Sequence, residues 1–154
     1  MPTRNQGFTI IELLVVMGVF AILASLSTLN LSKAQHGSSL NATVTTLISD
    51  LKRQQHKAMI GDTEGRGVAS DYGIHFENKS YTLFHDLYNS TDTSNFVVNL
   101  DGTLSFPDSG YVIFAKGSGE ILPASLSTLI ISDTVTSQSK TLTINQYGVV
   151  TAVN

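Results

Sequence analysis

The chain has 154 residues, 42% hydrophobic and 14% charged, with nine Lys and Arg against twelve Asp and Glu and a formal net charge of −3 at pH 7. That is one domain's worth of sequence, without the clustered basic side chains that a nucleic-acid binder needs to neutralise phosphates. Cysteine is absent, which excludes disulfide scaffolds, thiolate metal sites and cysteine nucleophiles and leaves the redox compartment open.

The first element in chain order is an apolar run. From Phe8 to Leu31 the only ionisable side chain is Glu12. A helix of these twenty-four residues would be about 36 Å long at about 1.5 Å per residue, enough to cross a bilayer core of about 30 Å. The run therefore predicts a transmembrane helix. A cleaved secretory signal is the alternative, since Arg4 supplies a basic start. Against it stand the missing A-x-A cleavage site around Ala21 to Ser25 and the carboxylate at the beginning of the apolar stretch.

Gly7-Phe8-Thr9-Ile10-Ile11-Glu12, followed by Leu13-Leu14-Val15-Val16, resembles the signature of the type IV prepilin and pseudopilin family. The resemblance covers residues 1 to 31. It implies that prepilin peptidase cuts between Gly7 and Phe8 and that the new amino terminus of Phe8 is N-methylated, with Arg4 as the basic residue of the leader. The family often carries a helix-loosening Pro or Gly where this chain has Leu29, a departure that leaves the helix nominally unbroken.

The charge in this motif has a physical reading of its own. After cleavage a positive amino group would lie at the end of an apolar helix, with Glu12 about one turn further along. A carboxylate in such a setting must be paired, protonated or hydrated. Between packed helices Glu12 would pair with the amino terminus of a neighbouring subunit and fix the register. The alternative is that Glu12 sits at the level of the lipid headgroups.

Further along, Leu40, Val44, Leu47, Ile48, Leu51, Ala58 and Met59 recur at helical spacings, and Asp50, Lys52, Arg53 and Lys57 fall largely on another face. This predicts an amphipathic continuation over residues 32–61, weakened in its middle by Gly37-Ser38-Ser39 and stopped by Gly61-Asp62. A polar loop follows from Asp62 to Gly67. Short strand-like runs separated by turn signals then predict strands at residues 72–76, 81–84, 96–100, 103–106, 111–115, 129–132, 140–145 and 149–153, the first two joined across Glu77-Asn78-Lys79-Ser80 and Lys140 to Asn145 alternating polar with apolar residues. An amphipathic helix laid on antiparallel sheet makes the expected fold class α+β. The division expected is a leader over 1–7, a transmembrane and assembly helix over 8–31, the amphipathic helix over 32–61, and a β-rich globular domain over 62–154.

The order of Tyr72-Gly73-Ile74-His75-Phe76, Tyr81-Thr82-Leu83-Phe84 and the terminal Leu142-Thr143-Ile144-Asn145 with Gly148-Val149-Val150 is similar to the GspH/FimT-like minor pilins and pseudopilins. That resemblance implies two β-sheets against the second half of the long helix.

No catalytic motif is present. His36, His56, His75 and His85 show no metal-ligand spacing, and nucleophile elbow, Walker and dinucleotide signatures are absent. Asp62-Thr63-Glu64-Gly65 and Asp101-Gly102 lack the alternating oxygen ligands of a calcium loop and read as turns. The sequence thus reads as a non-enzymatic filament subunit with no cofactor and no metal. By the resemblance, its partners are prepilin peptidase, other pilin or pseudopilin subunits, the inner-membrane assembly platform and membrane lipid. Its place is a single-pass protein of the cytoplasmic membrane with the globular domain outside, before assembly into a pilus or a type II secretion pseudopilus. The rivals are a membrane-tethered binding domain and a minor pilin of a DNA-uptake filament. Eleven acidic against seven basic side chains from Gly37 onward weigh against nucleic acid as a partner.

Overall fold

The computed structural model describes residues 8–154, and the side chains of all of these except 26–33. The fold is α+β. Helix α1 (Ile10–Ile60) runs for 51 residues. Gly37-Ser38-Ser39 does not interrupt its hydrogen bonding. Gly61 ends it in a left-handed conformation with φ of 65°. Its N–H reaches Ala58 O at 3.2 Å while Asp62 N–H reaches Lys57 O at 3.0 Å, the paired bonds that satisfy the last carbonyls of a helix closed by glycine.

The chain divides into two compact units, Met1–His36 and Gly37–Asn154. In the second unit eight strands form two antiparallel sheets. The first contains β1 (Tyr72–Glu77), β2 (Ser80–His85), β3 (Phe96–Asn99) and β5 (Gly110–Phe114) in the order β3-β2-β1-β5. The second contains β4 (Leu104–Ser105), β6 (Thr128–Asp133), β7 (Ser139–Ile144) and β8 (Val150–Val153) in the order β4-β6-β7-β8. Each expected strand is found with its ends displaced by no more than one residue; burial alternates along β6, whereas β2 is buried at five successive positions.

Register places the core. Tyr72 lies opposite His85, Ile74 opposite Leu83 and Phe76 opposite Tyr81, so these six share the inner face of the first sheet. With Leu129, Ile131, Leu142 and Ile144 of the second sheet and Leu40, Val44, Leu47 and Leu51 of α1, the inner apolar residues form one buried cluster. Gly73 lies opposite Phe84 on the outer face, and the Phe84 ring lies over it. A methyl group there would come within 2.3 Å of that ring. The glycine makes room for the aromatic cover.

The helix differs from expectation at Asp50 and Met59, and it buries Gln54, for which the stripe made no prediction. Asp50, read with the solvent face, is buried, because Tyr81 Oη donates to its Oδ2 at 2.7 Å and Arg53 Nη2 lies 3.1 Å from its Oδ1. Gln54 is also buried, its amide donating to the carbonyls of Gly73 at 2.9 Å and Phe84 at 3.2 Å. Met59, read as core, is exposed.

No helix among the described residues is long and apolar enough to cross a membrane. Of the expected span, residues 8–25 have described side chains. The remainder of the expected span, residues 26–31, lies outside the described side chains.

Candidate assembly segment

The start of α1 is built by its own sequence. Thr9 precedes the first helical residue. Its Oγ1 accepts the Glu12 N–H at 3.3 Å, and its carbonyl accepts the Leu13 N–H at 3.2 Å. Thr9 is thus the N-cap and Glu12 the third helical residue, the two positions of a capping box. A carboxylate in the first turn also meets the positive end of the helix dipole. The sequence contains the signal for this cap, since a Thr followed three residues later by Glu before an apolar run is its usual form. Reading Glu12 only for its charge misses Thr9.

Phe8 stands immediately outside the cap and is exposed. Arg4 and Gly7, the other expected processing residues, lie outside the described residues. Phe8, Ile10, Ile11, Leu13 to Met17, Val19, Phe20, Ile22 and Leu23 are between 51% and 86% exposed. A helix apolar on every side needs lipid or other helices around it, because water penalises each of these faces. Glu12 is the only charged group in that surface.

The histidines do not converge. Neighbouring residues of a strand alternate faces, and the pairing sets His75 opposite Thr82 and His85 opposite Tyr72, which turns the two rings to opposite sides of the first sheet. His75 joins an outer aromatic group, 4.2 Å from Tyr88 and 4.5 Å from Tyr111 by ring centroids. Burial holds its pKa below the ordinary histidine value, against the opposing pull of Glu77, whose Oε1 is 3.5 Å from Nδ1 without forming a hydrogen bond. His85 is buried on the inner side, 4.5 Å from Tyr72, and neither ring nitrogen has a hydrogen-bond partner. Among the described residues no three His, Asp or Glu side chains are grouped to hold a metal ion.

Two phenols brace α1 and its exit. Tyr81 is pushed above its ordinary pKa by burial and by the hydrogen bond to Asp50. Tyr72 is pushed up to about 12 by burial first and then by the Glu64 and Asp62 carboxylates. Its hydroxyl donates to Asp62 O at 2.9 Å, which ties the first strand to the loop after the helix. Both groups stay protonated at neutral pH and serve as hydrogen-bond donors.

Residues 2–28 match the family model described as the prokaryotic N-terminal methylation motif. No curated protein and no solved structure matches the chain. The matched segment contains the capped helix start, Phe8 and Glu12, and the match supports a type IV pilin-like precursor.

Proposed function

We propose that the chain is a structural subunit of a type IV pilus or a type II secretion pseudopilus. Prepilin peptidase would cut between Gly7 and Phe8, Phe8 would carry the N-methyl group, and Arg4 would serve the leader. The observation that carries this reading is the exposed apolar surface from Phe8 to Leu23, interrupted by one carboxylate and located inside the matched motif. Before assembly that surface would be covered by membrane lipid, with residues 8–31 as the span and the β-rich domain outside the cytoplasm. In the filament it would be covered by the same helices of other subunits, delivered through the inner-membrane platform. Glu12 would pair with a neighbour's amino terminus and set the register, because an unpaired charge in such an interface is costly. The two-sheet domain behind the helix supports the finer placing among the GspH/FimT-like minor pilins and pseudopilins. No step of this role is catalytic.

Mass spectrometry of the mature protein tests the reading. The expected N-terminus is N-methylated Phe8, and Gly7→Leu should leave an uncut precursor in the membrane that never enters a filament. An N-terminus near Ala24 would instead indicate ordinary secretion.

A further inference from the structure

The four outer edges of the two sheets are treated differently. β5 is covered by the segment that follows it, with Ala115 N–H on Glu120 O, Leu122 N–H on Ile113 O and Leu126 N–H on Tyr111 O. β4 is only two residues long. The pairing of β8 with β7 shifts register between Thr143 and Ile144, an irregularity that twists an edge away from new partners. β3 has no such device. Its sequence, Phe96-Val97-Val98-Asn99, carries no charge and no proline, its register with β2 is regular, and Phe96 and Val97 are 61% and 53% exposed.

The phase of β3 is fixed by the bond from Leu100 N–H to Lys79 O at 2.9 Å, one register step beyond the pairing of Asn99 with Ser80. Bonded and non-bonded pairs alternate in an antiparallel ladder. Val98 and Phe96 therefore bond to β2, while Val97 and Asn99 turn their main-chain N–H and C=O outward.

Between this edge and α1 lie two clefts. One, of about 230 Å³, has Leu83, His85 and Phe96 on the strand side and Arg53, Gln54 and Lys57 on the helix side. The other, of about 250 Å³, sets Val98 and Leu100 against the small side chains of Ser39, Ala42, Thr43 and Thr46. In the first cleft Arg53 and Lys57 stand against Glu64 as the only lining carboxylate. Arg53 is ion-paired with Asp50 and half-exposed, and Lys57 is ion-paired with Glu64 and lies over the Tyr72 ring, yet each cation keeps donors beyond its one carboxylate contact. His85, buried at the same cleft with two unpartnered nitrogens, adds an unmet polar demand.

We propose that β3 is a docking edge for an extended segment of a partner protein. The segment adds a strand to the first sheet, placing an acidic side chain in the cleft of Arg53 and Lys57 and a small aliphatic side chain, two residues away, in the cleft beside Ala42. Main-chain bonds to Val97 and Asn99 supply the affinity and the two clefts supply the selection. This assignment does not depend on the filament reading.

The test uses the full chain in detergent micelles and a capped peptide, Thr-Val-Thr-Glu-Thr-Val-Thr, whose sequence reads the same in both directions and so suits either strand orientation. Amide hydrogen exchange should slow at Val97 and Asn99 when the peptide is added. The same peptide with Lys in place of Glu should bind about tenfold more weakly. Val97→Pro removes an outward N–H and no ladder bond, so it should abolish binding while leaving the melting midpoint in place. Lys57→Glu should narrow or reverse the preference between the two peptides. Binding without protection of Val97 and Asn99, equal affinity for the two peptides, or full binding by the Val97→Pro chain would overturn the proposal. Protection that rises with protein concentration in the absence of peptide would also overturn it, since the occupant would then be a second copy.

Discussion

One helix serves two purposes along its length. From Ile10 to Leu23 its large apolar side chains are exposed on every side, whereas from Leu40 to Ala58 one stripe is buried against strands of the same chain. Backbone geometry and helix propensity are common to both stretches, so the contrast lies in what covers each surface. In the second half the chain supplies its own cover and gains ordinary core stability. In the first half the described residues supply no such cover, and on the proposed reading burial there stabilises an assembly.

Placing the same substitution in both halves breaks or sustains this contrast most strongly. Leu47→Asp or Leu51→Asp puts a carboxylate into the fully buried cluster and should lower the unfolding free energy by about 3–5 kcal/mol. Urea titration monitored by far-ultraviolet circular dichroism reads it. Leu14→Asp, on the exposed stretch, should leave that transition in place and instead weaken membrane insertion by about 2.5–3.5 kcal/mol. If Leu14→Asp melted the β-domain as Leu47→Asp does, the two halves would not be independent in the way their exposures suggest.

A second comparison concerns the two carboxylates of the helix, Glu12 on the exposed half and Asp50 on the buried one. Asp50 is satisfied within the chain by Tyr81 and Arg53. Tyr81→Phe should cost about 1–3 kcal/mol, because a buried acceptor loses its neutral donor. The double variant Asp50→Leu with Tyr81→Phe should recover part of that loss, since removing both partners leaves no polar group stranded. Glu12→Leu should leave unfolding of the β-domain unchanged and reduce incorporation into filaments, scored by co-purification with sheared filaments.

These residues also show what was legible beforehand. Strands are readable from apolar and aromatic runs between turns, the helix stop from Gly61-Asp62, and the motif matched over residues 2–28 from Gly7-Phe8 with Glu12. Asp50 and Gln54 are not, because local sequence marks a mid-helix carboxylate or amide as solvent-facing. What buries them is a phenol 31 residues away in one case and carbonyls 19 and 30 residues away in the other. The expected strands contain His75 but stop one residue short of His85, which the structure places at the end of β2. The pairing register adds that they face opposite sides of the sheet. The bare edge at β3 was invisible for another reason: a strand's sequence records which face is buried and carries no mark of which neighbour it lacks.

A smaller effect refines the exposed half. Thr9→Ala removes the side-chain acceptor of the Glu12 N–H and should cost about 1 kcal/mol of local helix stability, whereas Thr9→Ser should retain it. Hydrogen exchange at the Glu12 amide in micelles measures the difference. Faster exchange in both variants would mean that the hydroxyl is not what holds the first turn.

The smallest expected effect is a slope with pH, confined to the second unit. His75 has a folded-state pKa held below the usual 6.5, with burial as the larger cause and the Glu77 carboxylate opposing it. Between the folded and unfolded values the unfolded chain binds more protons, so stability falls as pH drops from about 6.5 through the folded value and levels off below it. Above that window the histidine is neutral in both states and contributes no slope. His75→Phe keeps an aromatic ring beside Tyr88 and Tyr111, so the difference between its pH profile and that of the parent isolates this proton, the other histidines being common to both. The variant's profile should be flatter below about pH 6.5. Glu77→Gln should act in the opposite sense, because it removes the influence that raises the pKa and leaves burial unopposed. Its acid-side loss should begin from the same upper limit and extend to lower pH. An unchanged slope in His75→Phe would locate the acid sensitivity elsewhere, and a shallower slope in Glu77→Gln would mean that the carboxylate does not stabilise the imidazolium across their 3.5 Å separation.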